Sequence, residues 1–346
     1  MNFSKTIIGW YSVNKRDLPW RKTLNPYHIW LSEIILQQTQ VKQGLPYYEA
    51  FVAHYPSVFH LASAQESEVL KLWQGLGYYS RARNLHATAQ YVAKELNGEF
   101  PKSYKGLLKL KGVGDYTASA IASICYNEAV AVVDGNVYRV LSRYFGIDTP
   151  INSSKGAKVF KTMAQELLDK RNPAEFNQAV MEFGATQCRP KNPICASCPF
   201  QNHCVALRKG KINELPVKNK KAKAKRQYFN FLVFLSEDGK TILQKRHGKG
   251  IWQNLYQFPL VETNKDYDAK LFRSLIEDHE LVKGQEFTFT PYNKESIVHK
   301  LSHRHLYTKF WLINVKKLPV AGVSVDRVRD YAVPILIGNF IESFNF

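Results

Sequence analysis

At 346 residues the chain is long for one hydrophobic core and comfortable for two, and its 45% hydrophobic fraction is ample for both. Lys and Arg number 48 against 29 Asp and Glu, a formal charge of +19, which favours a polyanionic partner, nucleic acid before a membrane surface or a mere solubility device. No apolar run is long enough to span a bilayer, and MNFSKTIIGWYSVNKRD lacks the long apolar core of a signal peptide. Free thiols at metal-like spacing fit a reducing compartment, so the expected setting is the cytoplasm, and a bacterial one is compatible with the sequence; nucleoid association, no membrane contact and a monomer are expected with it.

In chain order, residues 3–13 predict a short amphipathic helix ending near Arg16–Trp20, and Pro19 and Pro26 make the next stretch irregular. PYHIWLSEIILQQTQV predicts a helix with Trp30, Ile34, Ile35 and Leu36 on its apolar faces. Glu33 sits inside that run, where a carboxylate is costly to bury unless paired or protonated. A Glu in a helix is usually a solvated residue, but the apolar neighbours and the polar QQTQ that follows raise the odds of a site. Further helices are expected over Pro46–His54 and over Gln65–Trp73, the latter entered from Ser63. WQGLGYYSRARNL reads as a Gly-rich turn carrying Tyr78 and Tyr79, then a basic helix; an aromatic beside Arg81 and Arg83 suits either packing or insertion into a base stack.

LLKLKGVGDYTASAIASI reads helix, tight turn, helix. Gly112 and Gly114 let the backbone turn sharply, and the second helix, starting at Asp115 or Tyr116, points its first amides into the turn, where they would take a phosphate. A lone GxG is a weak signal; Lys105, Lys109 and Lys111 strengthen the phosphate reading. In AVVDGNVYRVLSRYFG, Asp134 is the natural N-cap of a helix, and it pairs with Glu33 as a candidate for general-acid and cation-stabilising work. Helices over Lys155–Leu168 and Pro173–Gly184 precede CRPKNPICASCPFQNHC, which holds four of the five cysteines. The spacing Cys188-x6-Cys195-x2-Cys198-x5-Cys204 gathers four soft donors, suited to tetrahedral zinc or to a [4Fe-4S] cluster; the wide outer spacings favour the larger cluster without deciding it. A structural role is the simpler expectation.

Arg208–Arg226 carries nine Lys or Arg and one Glu and reads as an interdomain linker. Beyond it YFNFLVFLS predicts a strand, Ser236–Lys240 a hairpin turn, and TILQKR the partner strand. LYQFPLVE predicts another strand, Tyr267–Glu280 a helix, ESIVHKLSHRHLYTKFWLINVKKL two strands around a His-rich turn, and Asp326–Phe340 a last short helix or two. His299, His303 and His305 are more simply explained by alternation along that hairpin than by a metal.

Together PYHIWLSEIILQQTQV, LWQGLGYYSRARNL, KGVGDYTASAI, VDGNVYRVLSR and the four-cysteine loop resemble, in family order, the MutY adenine DNA glycosylases of the helix-hairpin-helix superfamily. The resemblance implies two domains: an all-α helix-hairpin-helix glycosylase domain over 1–207 with a [4Fe-4S] cluster on Cys188, Cys195, Cys198 and Cys204 (loop 188–204), a basic linker over 208–226, and an α+β Nudix-like lesion-recognition domain over 227–346. It implies excision of adenine mispaired with 8-oxoguanine or guanine in double-stranded DNA. Glu33 would be the general acid, Asp134 would stabilise or trap the sugar cation, and Asn136 and Tyr116 would support them. Gln38 and Tyr78 match the residues that wedge into the duplex; Trp20 and Arg21 would line the adenine end. Relatives that also cut the strand have Lys where this chain has Tyr116, so a monofunctional enzyme is implied. Lys111 departs from the family's Pro. The acidic box of true Nudix hydrolases is absent, and Leu301-Ser302-His303 stands where the family has Phe-Ser-His to inspect the oxidised guanine, so stacking at position 301 is lost.

Overall fold

The computed structural model describes residues 2–220 and 223–346; Lys221 and Ala222, within the expected linker, lie outside the described residues. The helices are α1 (Phe3–Asn14), α2 (Pro26–Leu36), α3 (Val41–His54), α4 (Val58–Ser63), α5 (Glu66–Leu72), α6 (Ser80–Glu95), α7 (Tyr104–Leu107), α8 (Asp115–Tyr126), α9 (Gly135–Phe145), α10 (Ser154–Leu167), α11 (Pro173–Thr186), α12 (Val205–Arg208), α13 (Ala269–Ile276) and α14 (Ile335–Phe344). The strands are β1 (Lys225–Ser236), β2 (Lys240–Thr241), β3 (Gln244–Lys245), β4 (Tyr256–Gln257), β5 (Leu260–Thr263), β6 (Phe287–Pro291), β7 (Ile297–Lys300), β8 (Arg304–Val315) and β9 (Val323–Ser324). By contacts the chain forms two compact units, Met1–Ser63 with Asn84–Lys220, and Ala64–Arg83 with Lys221–Phe346.

The first unit is all helical. Local chemistry sets many of its helix starts: Asn25 accepts from Tyr27 N at 2.9 Å with Pro26 in the first turn, and Asp134 caps α9. The helix expected to run through QQTQV stops at Leu36: Gln37 leaves the helix with ψ 113°, and Gln38 follows with a positive φ of 55°. α3 then begins at Val41, a turn before the expected Pro46, and tolerates that proline inside it at the loss of one backbone hydrogen bond. The hairpin between α7 and α8 turns at Gly112, whose φ is 78° and where an added Cβ would lie 2.8 Å from Asn84 Cβ. Gly114 is extended (φ −93°, ψ −177°) and caps α8. The core buries Phe3, Ile7 and Tyr11 of α1 against Val137, Val140 and Leu141 of α9, Phe160 of α10 and Phe176, Val180 and Phe183 of α11. Phe200, from the cysteine loop, joins them, with ring centroids 5.0 Å from Phe3 and 5.3 Å from Phe183.

The second unit is α+β. Its main sheet runs β5-β1-β8-β6, with β7 also on β8. β1 pairs parallel with β8 from Lys225↔Arg304 to Ser236↔Val315 and antiparallel with β5. The expected hairpin between β1 and TILQKR does not form. The turn exists, with Gly239 N donating to Ser236 O at 3.0 Å, but β5 and β8 take both edges of β1, and β2 and β3 pair with β9 and β4. Neighbouring residues of β8 face opposite sides of the sheet. Trp311 stacks on Phe272 of α13 at 4.6 Å and Phe310 on Phe340 of α14 at 4.1 Å, so one helix covers each face. α5 is entered from Gln65, not Ser63, through a capping box in which Gln65 N donates to Glu68 Oε2 at 2.9 Å.

Candidate active site

Three elements of the helical unit meet around one carboxylate. Glu33 lies on α2, in a run buried from Tyr27 to Ile35 except for His28. Burial pushes its carboxyl up to about 7; a hydrogen bond from Tyr116 opposes the rise, the negative charge of Asp134 adds to it, and Arg21 opposes it. Its Oε2 is buried without a hydrogen-bond partner. A buried carboxyl oxygen left open is costly unless something else is meant to meet it. Tyr116, in the first turn of α8, has its hydroxyl held protonated by burial first and then by the charges of Glu33 and Asp134. That hydroxyl also lies 3.5 Å from Met181 Sδ.

Asp134 caps α9: Oδ1 accepts from Asn136 N at 2.9 Å and Val137 N at 2.8 Å, and Oδ2 from Asn136 Nδ2 at 2.7 Å. Burial raises its carboxyl, and those three donors with the Arg139 charge oppose the rise by favouring the ionised form. Arg139 in turn donates to Asn136 Oδ1 at 2.8 Å, Gly184 O at 2.6 Å and Cys188 O at 2.7 Å. α11 comes so close here that a Cβ at Gly184 would sit 2.6 Å from Asn136 Cβ and 2.9 Å from its carbonyl oxygen. The two carboxyls thus have unlike surroundings: Glu33 has an oxygen without a hydrogen-bond partner, whereas both oxygens of Asp134 accept from donors.

Trp20 is buried, its ring 5.1 Å from Tyr48. Arg21 is fixed from three sides: Nη1 donates to Arg16 O at 2.9 Å, Nη2 to Glu182 Oε2 at 2.7 Å, and its guanidinium lies 5.5 Å from the Tyr11 ring. Glu182 also takes both arms of Arg16 at 2.6 Å. Burial alone would raise its carboxyl, but the hydrogen bonds from Arg16 and Arg21 hold it at about 2. The sequence reading missed Glu182 and Arg16. Cys125 of α8 lies near enough for Glu33 to act on it; burial first, then that charge, push its thiol up to about 12.

Gln38 is exposed with φ 55°, and Tyr78, of the second unit, is 49% exposed with φ 46°. Such backbone is uncommon for residues with a Cβ and tends to mark functional turns. Leu301, Ser302 and His303 form the turn between β7 and β8, closed by Leu301 N donating to Arg304 O at 2.8 Å, with Ser302 and His303 exposed. Burial lowers the imidazole of His299.

Cys188, Cys195, Cys198 and Cys204 line one pocket with Gln187, Pro193, Ile194 and Leu207. Among the described residues no three His, Cys, Asp or Glu side chains are grouped to hold a single ion. Burial pushes the Cys198 thiol up to about 11 and raises those of Cys195 and Cys204, and the neighbouring sulfurs add to it. Phe200 N donates to Cys198 Sγ at 3.4 Å, which opposes the rise there, and Arg143 Nη1 donates to Cys188 Sγ at 3.5 Å. An all-sulfur donor set in an apolar-lined pocket, met by N–H donors, fits a thiolate-bound iron–sulfur group.

Comparison with known proteins gives these parts a common frame. Residues 31–168 match the model of the HhH-GPD superfamily base excision DNA repair proteins, and residues 230–343 match the NUDIX domain. The adenine DNA glycosylase of Buchnera aphidicola subsp. Schizaphis graminum is 34% identical over 316 residues, covering 90% of this chain and 88% of that one. The human adenine DNA glycosylase is 43% identical over 222 residues, 62% of this chain and 41% of that one. Among solved structures, a thermostable thymine-DNA glycosylase matches 60% of this chain and 95% of its own (31% identity, TM-score 0.56). A trapped endonuclease III–DNA covalent intermediate shares the fold over the same fraction of this chain and 94% of its own, at 20% identity and a TM-score of 0.53. A helical base-excision unit, a strand-containing Nudix-like unit and a relative matched along nearly its whole length lead to one assignment: this chain belongs to the MutY family of adenine DNA glycosylases, enzymes of base excision repair.

Proposed function

We propose that this glycosylase excises adenine opposite 8-oxoguanine, and opposite guanine, in duplex DNA, and that it hydrolyses the N-glycosidic bond without cutting the strand. The observation that carries the chemistry is Glu33: buried, held near neutrality, with Oε2 unpartnered and Tyr116 and Asp134 beside it. Adenine must leave the stack to reach such a group. Protonated Glu33 then gives its proton to the adenine ring, which draws electrons from the bond between the base and C1′ until that bond breaks. Asp134, kept oriented by Asn136 and the first amides of α9, meets the positive charge that grows on the sugar, either as a counter-ion or as a brief covalent adduct. Water, activated by the Glu33 carboxylate left behind, completes the hydrolysis. Position 116 offers a phenol and no amine for Schiff-base formation, which favours the monofunctional mode.

Arg21 and Trp20 are read as lining the adenine end. Gln38 and Tyr78 are read as wedges around the flipped base and its orphan partner, and the turn at Gly112 and Gly114 as a phosphate clamp through the first amides of α8. Ser302 would bond the edge of the oxidised guanine, His303 a phosphate, and Leu301 would fill space without stacking. Cys188, Cys195, Cys198 and Cys204 would hold a [4Fe-4S] cluster, which would supply four iron–thiolate bonds as a staple for the loop. We assign base excision to the helical part of 1–207, a DNA-crossing linker to 208–226 and lesion recognition to 227–346, in a monomer working on the bacterial nucleoid. Among the described residues no helix is long and apolar enough to cross a membrane.

The likeness of the helical part to a thymine-DNA glycosylase keeps a second reading in view. Single-turnover cleavage of duplexes holding A opposite 8-oxoguanine, A opposite G, T opposite G and U opposite G, with and without alkali, separates the two. Cleavage at adenine only after alkali, and lost in Glu33→Gln, is the expected result. Cleavage at T or U, or strand scission without alkali, would overturn the proposal.

A further inference from the structure

Tyr78 sits in a turn that its own backbone disfavours. From Trp73 to Arg81, Gly75, Gly77 and Tyr78 all have positive φ, at 104°, 71° and 46°. Two of them are glycines and adopt this freely; the tyrosine has a Cβ that crowds the following carbonyl. Its ring is also half in solvent. An exposed aromatic on unfavourable backbone stays in place only if its surroundings hold it there.

Arg81 does much of that holding. Its side chain is buried, and Nη2 donates to Leu76 O at 3.3 Å and to Gly77 O at 3.2 Å, the two carbonyls just before Tyr78. Trp73 Nε1 donates to the same Gly77 O at 3.0 Å. The guanidinium lies 5.0 Å from the Trp73 ring and 5.8 Å from the Tyr78 ring. Arg81 N closes the turn on Tyr78 O at 2.9 Å. One planar cation thus touches the backbone before the exposed ring, the ring itself, and the buried indole behind it. An ammonium could supply the charge, but neither the flat face nor the fork of donors.

We infer that Arg81 is a positioning residue that orders the Tyr78 side chain before DNA arrives, so that insertion at a mispair does not have to meet the cost of freezing it. This rests on the reading of Tyr78 as a wedge. Pre-ordering shows as preference: a wedge that must first be ordered loses affinity where it inserts, and not on paired DNA, where it does not.

The test is a double-mutant cycle on the full-length protein. Affinity is measured for a duplex carrying a non-cleavable fluorinated adenosine analogue opposite 8-oxoguanine and for the fully paired duplex, in wild type, Arg81→Lys, Tyr78→Ala and the double variant. Arg81→Lys should cut the mispair preference roughly tenfold, with paired-duplex affinity unchanged. Tyr78→Ala should lose at least as much, and the double variant no more than Tyr78→Ala alone. Arg81→Gln repeats the cycle if the Lys variant melts early by circular dichroism. Additive losses, or a loss shared equally by both duplexes, would show that Arg81 serves the fold only and would overturn the inference. If Tyr78→Ala keeps the preference, the wedge reading itself has failed, a distinct result because it appears without touching Arg81.

Discussion

Replacing Glu33 with Gln keeps the shape of the side chain and removes a negative charge that burial penalises. Burial lifts this carboxyl from an ordinary 4.5 to about 7. A carboxyl whose folded value lies above its unfolded one supports the fold fully below about 4.5 and loses that support as pH rises through about 7. At about 1.36 kcal/mol per pH unit, the wild type is left about 3 kcal/mol worse off by pH 8. The amide has nothing to ionise. Glu33→Gln should therefore match the wild type near pH 4.5 and exceed its stability by about 3 kcal/mol at pH 8, on the order of 5–10 °C in Tm for a helical unit of this size. Urea unfolding followed by far-UV circular dichroism from pH 5 to 8.5 reads the difference, and adenine excision by the same samples should be abolished. Two stability curves running parallel across that range would refute the idea that this carboxyl is strained by burial. A variant that is inert yet sturdier is the outcome expected when a site trades stability for chemistry.

Four further outcomes follow from the same geometry. Because the Tyr116 hydrogen bond lowers the Glu33 carboxyl, Tyr116→Phe should move the alkaline limb of the single-turnover pH profile from near 7 to higher pH, while cutting the maximum rate. Gly184→Ala would drive a Cβ into Asn136, so unfolding should show a loss of about 1–3 kcal/mol and excision should fall with it. Cys198→Ser should deplete bound iron and the visible absorbance of the purified protein; full iron content with zinc absent would contradict the ligand assignment. Leu301→Phe restores a ring to the β7–β8 turn and should raise the ratio of excision opposite 8-oxoguanine to that opposite guanine; an unchanged ratio would remove position 301 from lesion reading.

What could be read from the sequence was mostly what local chemistry decides. Asp134 was legible as a cap because its acceptors' partners are two and three residues away. Glu33 stood out because a carboxylate inside an apolar helical run needs a reason. Glu182 stands in the same kind of run, AVMEFG, and the same argument would have found it; its partners Arg16 and Arg21 lie 166 and 161 residues away, so nothing nearby announced the pair. The end of α2 is not legible because Gln37, where the backbone leaves the helix, and the left-handed Gln38 after it look like any helix-compatible residues. β1 shows the limit most clearly. Its apolar, aromatic-rich run declares a strand, but the partner that fixes its place is β8, matched from Lys225↔Arg304 onward, and the adjacent TILQKR offered a nearer and wrong choice. The Arg81 hydrogen bonds to the Leu76 and Gly77 carbonyls were equally out of reach, since they leave no trace in spacing.

The division of the chain also sets a timetable. Ala64–Arg83 belongs to the second unit, yet it leaves the ribosome long before the rest of that unit. Its anchors come late: Lys71 Nζ donates to Arg329 O, Asn254 Nδ2 donates to Glu66 Oε1 at 2.6 Å, Arg83 Nη1 reaches Gln253 O at 2.9 Å, and Gln74 Oε1 accepts from Val333 N at 3.3 Å. At ordinary synthesis rates the segment waits on the order of ten to fifty seconds for those partners. During that wait, and permanently in a chain broken off before residue 253, Glu33 and Asp134 already exist while the Tyr78 turn has none of these anchors. A nonsense mutation late in the reading frame would therefore remove contacts from a segment encoded near its beginning.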